Sequence, residues 1–281
     1  MKFAIASESR VGGREHNEDR HGAIWSAQSL LLVVADGMGG REYGEVAAQI
    51  AVDVFLENFR RSAHPQLLRP AAFLQRVMAE AHEAILAQAL QNRLHEVPST
   101  TLVAGLVQDG KLYVVHAGDS RLYLLQGDRL RYRTRDHSQV QRLIESGQLS
   151  EKDAQTYPGR NHIYNCLGAM IDPEIEVSEP IPLQGNETLL LCSDGLWGPL
   201  LDEEITRIFH GREPQLVLPA LMNVVEKRAG AGRDNLTGIA VTLLGEDDVV
   251  GSRDGYVDSL YVSRAGFDQL PLPHGLRPAL R

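Results

Sequence analysis

Six apolar residues at 30–35 (LLLVVA) run straight into Asp36 and a glycine-rich turn, GMGG. A run this short and branched fits a strand covered on both faces, although a short core helix carries the same signature. The design recurs. Apolar residues at 189–192 lead into Ser193, Asp194 and Gly195, those at 113–117 lead into Gly118 and Asp119, and Asp234 stands just before the apolar run 238–244. Alternation at 3–7 and the segment 21–26 predict further short strands. Three-four spacing of Val46, Ala47, Ile50, Ala51, Val54, Phe55 and Phe59 predicts an amphipathic helix. A second, from Pro70 to about 94, carries Phe73, Leu74, Val77, Met78, Ala81, Ile85, Ala89 and Leu90 on one face, with His82 and Glu83 at its surface.

From 99 the period shortens. Segments 101–107, 111–117, 121–127 and 129–134 predict strands joined at Asp109-Gly110, 118–120 and Gly127-Asp128, turns short enough to enforce antiparallel pairing. His116, inside one of them, reads as a core histidine. Ser138 is predicted to cap a helix over 139–146, and Ser150 with Asp153 a shorter one. Residues 156–162 predict a loop, 174–183 and 187–194 strands, and Asp202 a cap for a helix over 203–211. A helix with Pro219 in its first turn and a closing strand at 238–244 complete the pattern.

Runs of strands and runs of helices without regular β-α-β alternation argue for an α+β layered fold, antiparallel sheets inside and helices outside. Acids at strand ends then converge on one edge. With 281 residues and 43% hydrophobic content, one large domain over 1–245 is expected; beyond it the periodicity stops, and 246–281 reads as a C-terminal extension of unknown role. Net charge is -9, which argues against nucleic acid as a partner. Cys166 and Cys192 are too few for a disulfide framework and lack the neighbours of a zinc site. The N-terminal stretch has neither the apolar core of a secretory signal nor a membrane span, so a cytoplasmic location and no membrane partner are expected.

Glu18, Asp36, Asp119, Asp194 and Asp234 offer oxygen alone, a donor set that suits Mg²⁺ or Mn²⁺ better than zinc or copper. Crowded carboxylates repel one another unless cations are present. Two such ions suit in-line attack of an activated water on a phosphoryl group, with Arg14 as a two-pronged phosphate clamp. Each piece also has a plainer reading. Asp36-Gly37 is ordinary turn chemistry, and Arg14, Glu18 and Asp19 sit in a charged loop of a kind common on solvated surfaces.

The ordered set is more specific than its parts. Arg14 with Asn17-Glu18-Asp19, Asp36-Gly37-Met38-Gly39-Gly40, Ser99-Thr100-Thr101, Gly118-Asp119-Ser120-Arg121, Asp136-His137-Ser138, Leu167-Gly168, 193–197 (SDGLW) and 234–237 (DNLT) follow one another in the chain. The sequence thereby resembles the metal-dependent, type 2C serine/threonine protein phosphatases, in their bacterial form, over about residues 1–245.

The resemblance implies a four-layer α-β-β-α sandwich with a binuclear Mn²⁺ or Mg²⁺ centre at one end. It would place Asp36 between both ions, Asp194 and Asp234 on the first, and Glu18 with the Gly37 carbonyl on the second. Asp119 with Asp194 would hold a weaker third ion. Asp19 would orient the attacking water, Arg14 would bind phosphate, and 139–162 would form a variable flap. The catalytic set implied is thus Arg14, Asp19 and Asp36, acting on phosphoserine and phosphothreonine in proteins. A cognate serine/threonine kinase and a monomeric state complete the expectation. Two departures stand out. Ser99 replaces a usual glycine, and Met38 replaces the histidine proton donor of animal-type members, as it does in bacterial ones, leaving proton donation to water or to His16. A catalytically silent domain serving as a binding module is the rival reading, and a hydrolase for small phosphoesters a third.

Overall fold

The computed structural model describes residues 1–38, 43–154 and 157–245. Gly39, Gly40 and the extension at 246–281 lie outside the described residues.

Strands β1 (Phe3–Arg10), β2 (Arg20–Trp25) and β3 (Ser29–Ala35) open the chain, and β4 (Gly37–Met38) leads to helices α1 (Gly44–Ser62) and α2 (Pro70–Gln91). Next come β5 (Ser99–Thr100), β6 (Leu102–Gln108), β7 (Lys111–Ala117), β8 (Arg121–Gln126), β9 (Arg129–Arg133), α3 (Gln139–Glu145) and α4 (Glu151–Ala154). The remainder holds β10 (Glu176–Val177), β11 (Ile181–Pro182), β12 (Thr188–Cys192), α5 (Asp194–Trp197), α6 (Asp202–Phe209), α7 (Pro214–Ala229) and β13 (Leu236–Leu243).

Two antiparallel sheets face each other. One runs β1-β13-β12-β8-β9; the other runs β10-β7-β6-β3-β2 with β11 also on β7, and β4 and β5 form a small ribbon. The pleat explains why β3 is buried at every position. Leu31, Val33 and Ala35 pack with Phe55 and Phe59 of α1 and Leu74 and Met78 of α2, whereas Leu30, Leu32 and Val34 meet the other sheet through Leu124, Leu191 and Ile239. On the far side Leu190 and Cys192 turn toward Leu218, Leu221 and Met222 of α7. Three apolar layers between four structural ones make the α-β-β-α sandwich.

Local patterns hold where the sequence is explicit. Ser138 Oγ accepts the Gln141 amide, and Ser150 caps α4 while bonding Asp153. The departures are informative. Chain order predicted a hairpin from β7 to β8, but β7 pairs with β6, β10 and β11, and β8 pairs with β9 and β12. Residues 118–120 therefore cross from one sheet to the other. Helix α7 begins at Pro214, with Pro219 inside it rather than in its first turn. Asp202 is the first residue of α6 rather than its cap, and its carboxylate binds Arg133 at 2.5 Å. In α1 the buried stripe runs through Ala47, Ala48, Ala51, Val52, Phe55 and Phe59, leaving Ile50 and Val54 at its margin. Leu90 is exposed, and His82 is buried rather than at the surface, where its Nδ1 accepts the Gly168 amide at 3.1 Å.

One core-facing histidine has a thermodynamic consequence. His21 on β2 leaves Nε2 without a hydrogen-bond partner, and burial, aided by Arg20, lowers its pKa to about 4. The unfolded chain takes up that proton near pH 6.5 and the folded chain does not, so this stabilising contribution is full above pH 6.5 and lost as pH falls toward 4. His21→Val is expected to lose less stability than the parent across that window in urea denaturation; parallel curves would contradict it.

Candidate active site

The acids meet where the strands end. Asp36 follows β3, Asp119 sits in the sheet-to-sheet crossing, Asp194 opens α5 after β12, Glu18 precedes β2 and Asp234 precedes β13. All five line one cleft of about 690 Å³, together with Arg14, Gly37 and Met38. Every residue that the resemblance implied for metal ligation is thus brought to one place.

Backbone hydrogen bonds fix each ligand candidate. The Asp36 amide donates to Thr101 Oγ1 at 3.2 Å, and the Asp36 carbonyl accepts from the Thr101 amide and the Thr100 hydroxyl, both at 2.9 Å. Thr101 Oγ1 lies 2.7 Å from Ser120 Oγ, which ties the Asp36 turn to the Asp119 crossing. The Asp119 carbonyl accepts from Trp197 Nε1 at 3.0 Å. The Asp194 carbonyl accepts the Gly198 amide at 2.7 Å, and Asn235 joins Glu18 and Asp234: its Oδ1 accepts the Glu18 amide at 2.9 Å, its own amide donates to Asp234 Oδ1 at 2.9 Å, and its Nδ2 donates to the carbonyls of Val11 and His16. Sequence reasoning gave Asn235 no role of its own. The only signal was its place directly after Asp234, since asparagine is a residue that pairs with nearby backbone.

Two glycines are required by close approach. A Cβ on Gly37 would stand 2.3 Å from the Gly44 carbonyl oxygen and 2.7 Å from that of Glu18, and one on Gly195 would stand 2.0 Å from the Asn235 carbonyl oxygen. Larger residues at either point would push the ligand-bearing loops apart.

Electrostatically the cleft holds more negative charge than the protein neutralises. Burial, then the charges of Asp19, Asp194, Asp119 and Asp234, pushes the Asp36 carboxyl well above the usual range. Asp119 is raised likewise, by burial and by Asp194 and Asp136, with Arg121 opposing. Asp194 is pushed up to about 6 by burial and Asp234, against Arg160 and Arg14, and its carboxyl lies within hydrogen-bond reach of Asp36. Asp19 is raised to about 7 by burial. That residue stands just behind the cleft. Ser193 Oγ donates to its Oδ2 at 2.7 Å, and Oδ1, also buried, has no protein donor. A hard dication satisfies this donor set, because it supplies the missing positive charge to oxygens that already converge.

Arg14 is placed differently from a free clamp. Its Nη2 donates to Asp234 Oδ2 at 2.7 Å while its side chain stays 59% exposed, within reach of solvent and of any ligand in the cleft. A second group, His116, His137 and Glu176, brings its ligand atoms within 4.8 Å of one another. Hydrogen bonding argues against metal there. His137 Nδ1 accepts from the Gly118 amide and Asn165, so its proton belongs on Nε2, facing Glu176, and His116 Nε2 is engaged by the Arg135 carbonyl. The pair acts instead as a brace beneath the crossing that carries Asp119.

Facing antiparallel sheets between helices, with an all-oxygen acidic cleft at their strand ends, define the phosphatase sandwich class. The chain belongs to the protein phosphatase 2C family, whose model matches residues 8–217. It is similar to the serine/threonine phosphatase stp of Listeria innocua, 32% identical over 231 residues that span 81% of this chain and 90% of that one. Among solved structures, the serine/threonine phosphatase Stp1 from Staphylococcus aureus superposes with a TM-score of 0.79 at 27% identity, covering 87% of this chain and 96% of that one. The catalytic domain of the serine/threonine protein phosphatase PstP, in complex with two manganese ions, superposes with a TM-score of 0.72 at 30% identity, covering 86% and 99%. Among the described residues no helix is long and apolar enough to cross a membrane.

Proposed function

We propose that the chain hydrolyses phosphoserine and phosphothreonine in proteins at this cleft, using two Mn²⁺ or Mg²⁺ ions and a weaker third, and so opposes a serine/threonine kinase. The catalytic unit is residues 1–245. The observation that carries the reading is the crowding of carboxylates, led by Asp36, whose pKa values rise through desolvation first and mutual repulsion second, with Arg121, Arg160 and Arg14 opposing only in part.

Asp36 would join both ions, with Asp194 and Asp234 toward one, Glu18 and the Gly37 carbonyl toward the other, and Asp119 with Asp194 toward the third. Bound there, the ions supply charge neutralisation for the phosphoryl oxygens and acidity enough to make water a nucleophile near neutral pH. The chain's own residues do the rest. Asp19 Oδ1, lacking a protein donor, would accept a hydrogen bond from the attacking water and orient it. With Asp234 holding a metal ion, Arg14, which pairs with it in this structure, would be free to offer its planar fork to two phosphate oxygens. Met38 lines the cleft and has no proton to give, so the leaving alcohol takes its proton from water.

The test is metal removal. Chelator-treated protein is expected to lose hydrolysis of p-nitrophenyl phosphate and of a phosphothreonine peptide, and to regain both with Mn²⁺ or Mg²⁺. Full activity in EDTA would refute the metal requirement, and inactivity with every metal would favour a silent binding module.

A further inference from the structure

A second cavity, of about 80 Å³, opens beside the acidic cleft and shares Asn161 and Asp194 with it. Val140 and Ile144 of α3 and Ala154 of α4 form one wall, and Trp197, Leu200 and Leu201 form the other. The charges around it are already matched. Arg121 grips Asp136 through two hydrogen bonds of 2.8 and 2.7 Å and lies over the Trp197 ring, its guanidinium carbon 3.4 Å from the centroid. Arg133 pairs with Asp202 at 2.5 Å and reaches Glu151 at 3.9 Å, and Arg160 directs its charge toward Asp194. What these pairs leave for a visitor, apart from Ser138, Gln141 and Asn161 at its edges, is apolar surface. One water needs roughly 10–15 Å³ by the same measure, so a cavity of about 80 Å³ has room for an aliphatic side chain.

We propose that this cavity is a substrate subsite for an aliphatic side chain, leucine, isoleucine, valine or methionine, flanking the phosphorylated residue. The inference rests on the phosphatase reading, and continuity with the cleft fixes the occupant. A peptide whose phosphate lies among the carboxylates has a neighbouring residue within reach of Asn161 and Asp194, beyond which the apolar walls begin. Charged flanking residues would have to break matched ion pairs or lie unpaired against leucine and tryptophan, so they are disfavoured.

The full chain should be assayed with Mn²⁺ on phosphothreonine peptides that differ only at the flanking positions, carrying leucine, alanine, aspartate or lysine, beside p-nitrophenyl phosphate. Leucine peptides are expected to exceed alanine ones by about tenfold in kcat/KM, with charged ones lower still. Ile144→Asp and Leu201→Asp should flatten that preference and leave p-nitrophenyl phosphate turnover unchanged. Leu201 is 40% exposed, so its variant folds even if a charge at Ile144 does not. Equal turnover of all peptides, or a leucine preference that survives in the folded variants, overturns the subsite while leaving the phosphatase intact. No turnover of p-nitrophenyl phosphate removes the phosphatase reading, and the subsite with it.

Discussion

Asp36→Asn is expected to abolish metal-dependent hydrolysis, lowering kcat/KM by a factor on the order of 10³ or more, because it removes the one carboxylate that would serve both ions. Loss of activity alone would not separate a ligand from a misfolded site, but stability does. Without metal, Asp36 is a half-buried acid whose carboxyl is pushed well above the usual range by desolvation and by the charges of Asp19, Asp194, Asp119 and Asp234. Replacing it with a neutral amide relieves that repulsion, so the metal-free variant should melt at or above the parent temperature. With Mn²⁺ the order should invert. The parent gains stability as RT ln(1 + [L]/Kd), about 2.7 kcal/mol at a hundredfold excess over Kd, and the variant gains far less. Thermal melts with and without Mn²⁺ therefore cross if Asp36 holds metal. Equal metal-induced shifts in both proteins would sink the assignment.

That cluster was legible in the sequence for a physical reason. A strand buried on both faces is a continuous apolar run, and a carboxylate directly after it cannot be part of the core, so Leu32, Val34 and Asp36 announce a strand end with chemistry on it. Repetition at Asp119, Asp194 and Asp234 announced one shared edge, and the layered fold follows from the same pattern. Sheet membership was not legible. Segments 111–117 and 121–127 look alike and are joined by a short glycine turn, yet Gly118 to Ser120 pass between sheets, because β7 stays in its local hairpin with β6 while β8 pairs with β12, far away in sequence. His82 was misplaced for a related reason. Its partner is an amide 86 residues later, and no local spacing encodes that bond. Pro214 and Pro219 both stand where a first-turn proline is acceptable, and only the packing of Val217 and Leu218 selects the earlier start. The supporting bonds of the site were not legible, since Asn235 holds the Glu18 amide and Ser193 holds the Asp19 carboxylate, each far away in sequence, and no local spacing encodes either bond.

Arg121→Ala is expected to be the most destabilising single change outside the apolar layers. Arg121 is 9% exposed, holds Asp136 with two hydrogen bonds, donates to the Tyr123 hydroxyl at 2.9 Å and stacks on Trp197. Removing it strands the buried Asp136 carboxylate without its partner, an arrangement that typically costs about 3–5 kcal/mol. At about 2–4 °C per kcal/mol for a domain of this size, the melting temperature should fall on the order of 10 °C. Lysine should not rescue it, since a single ammonium cannot make the two parallel bonds or the flat contact with the indole. The double variant Arg121→Leu with Asp136→Leu removes both charges and should recover much of the loss, whereas a structural role without charge coupling would leave the double variant at least as unstable as the single one. The loss should also reach the active site. Trp197, no longer held from above by the guanidinium, is the residue whose indole nitrogen fixes the Asp119 carbonyl. If Asp119 holds the proposed third ion, Arg121→Ala should weaken Mn²⁺ binding there, measured by calorimetric titration of the folded variant, more than at the proposed two-ion centre. Uniform weakening of all three would mean that the Arg121 to Trp197 contact supports the fold and does not position Asp119.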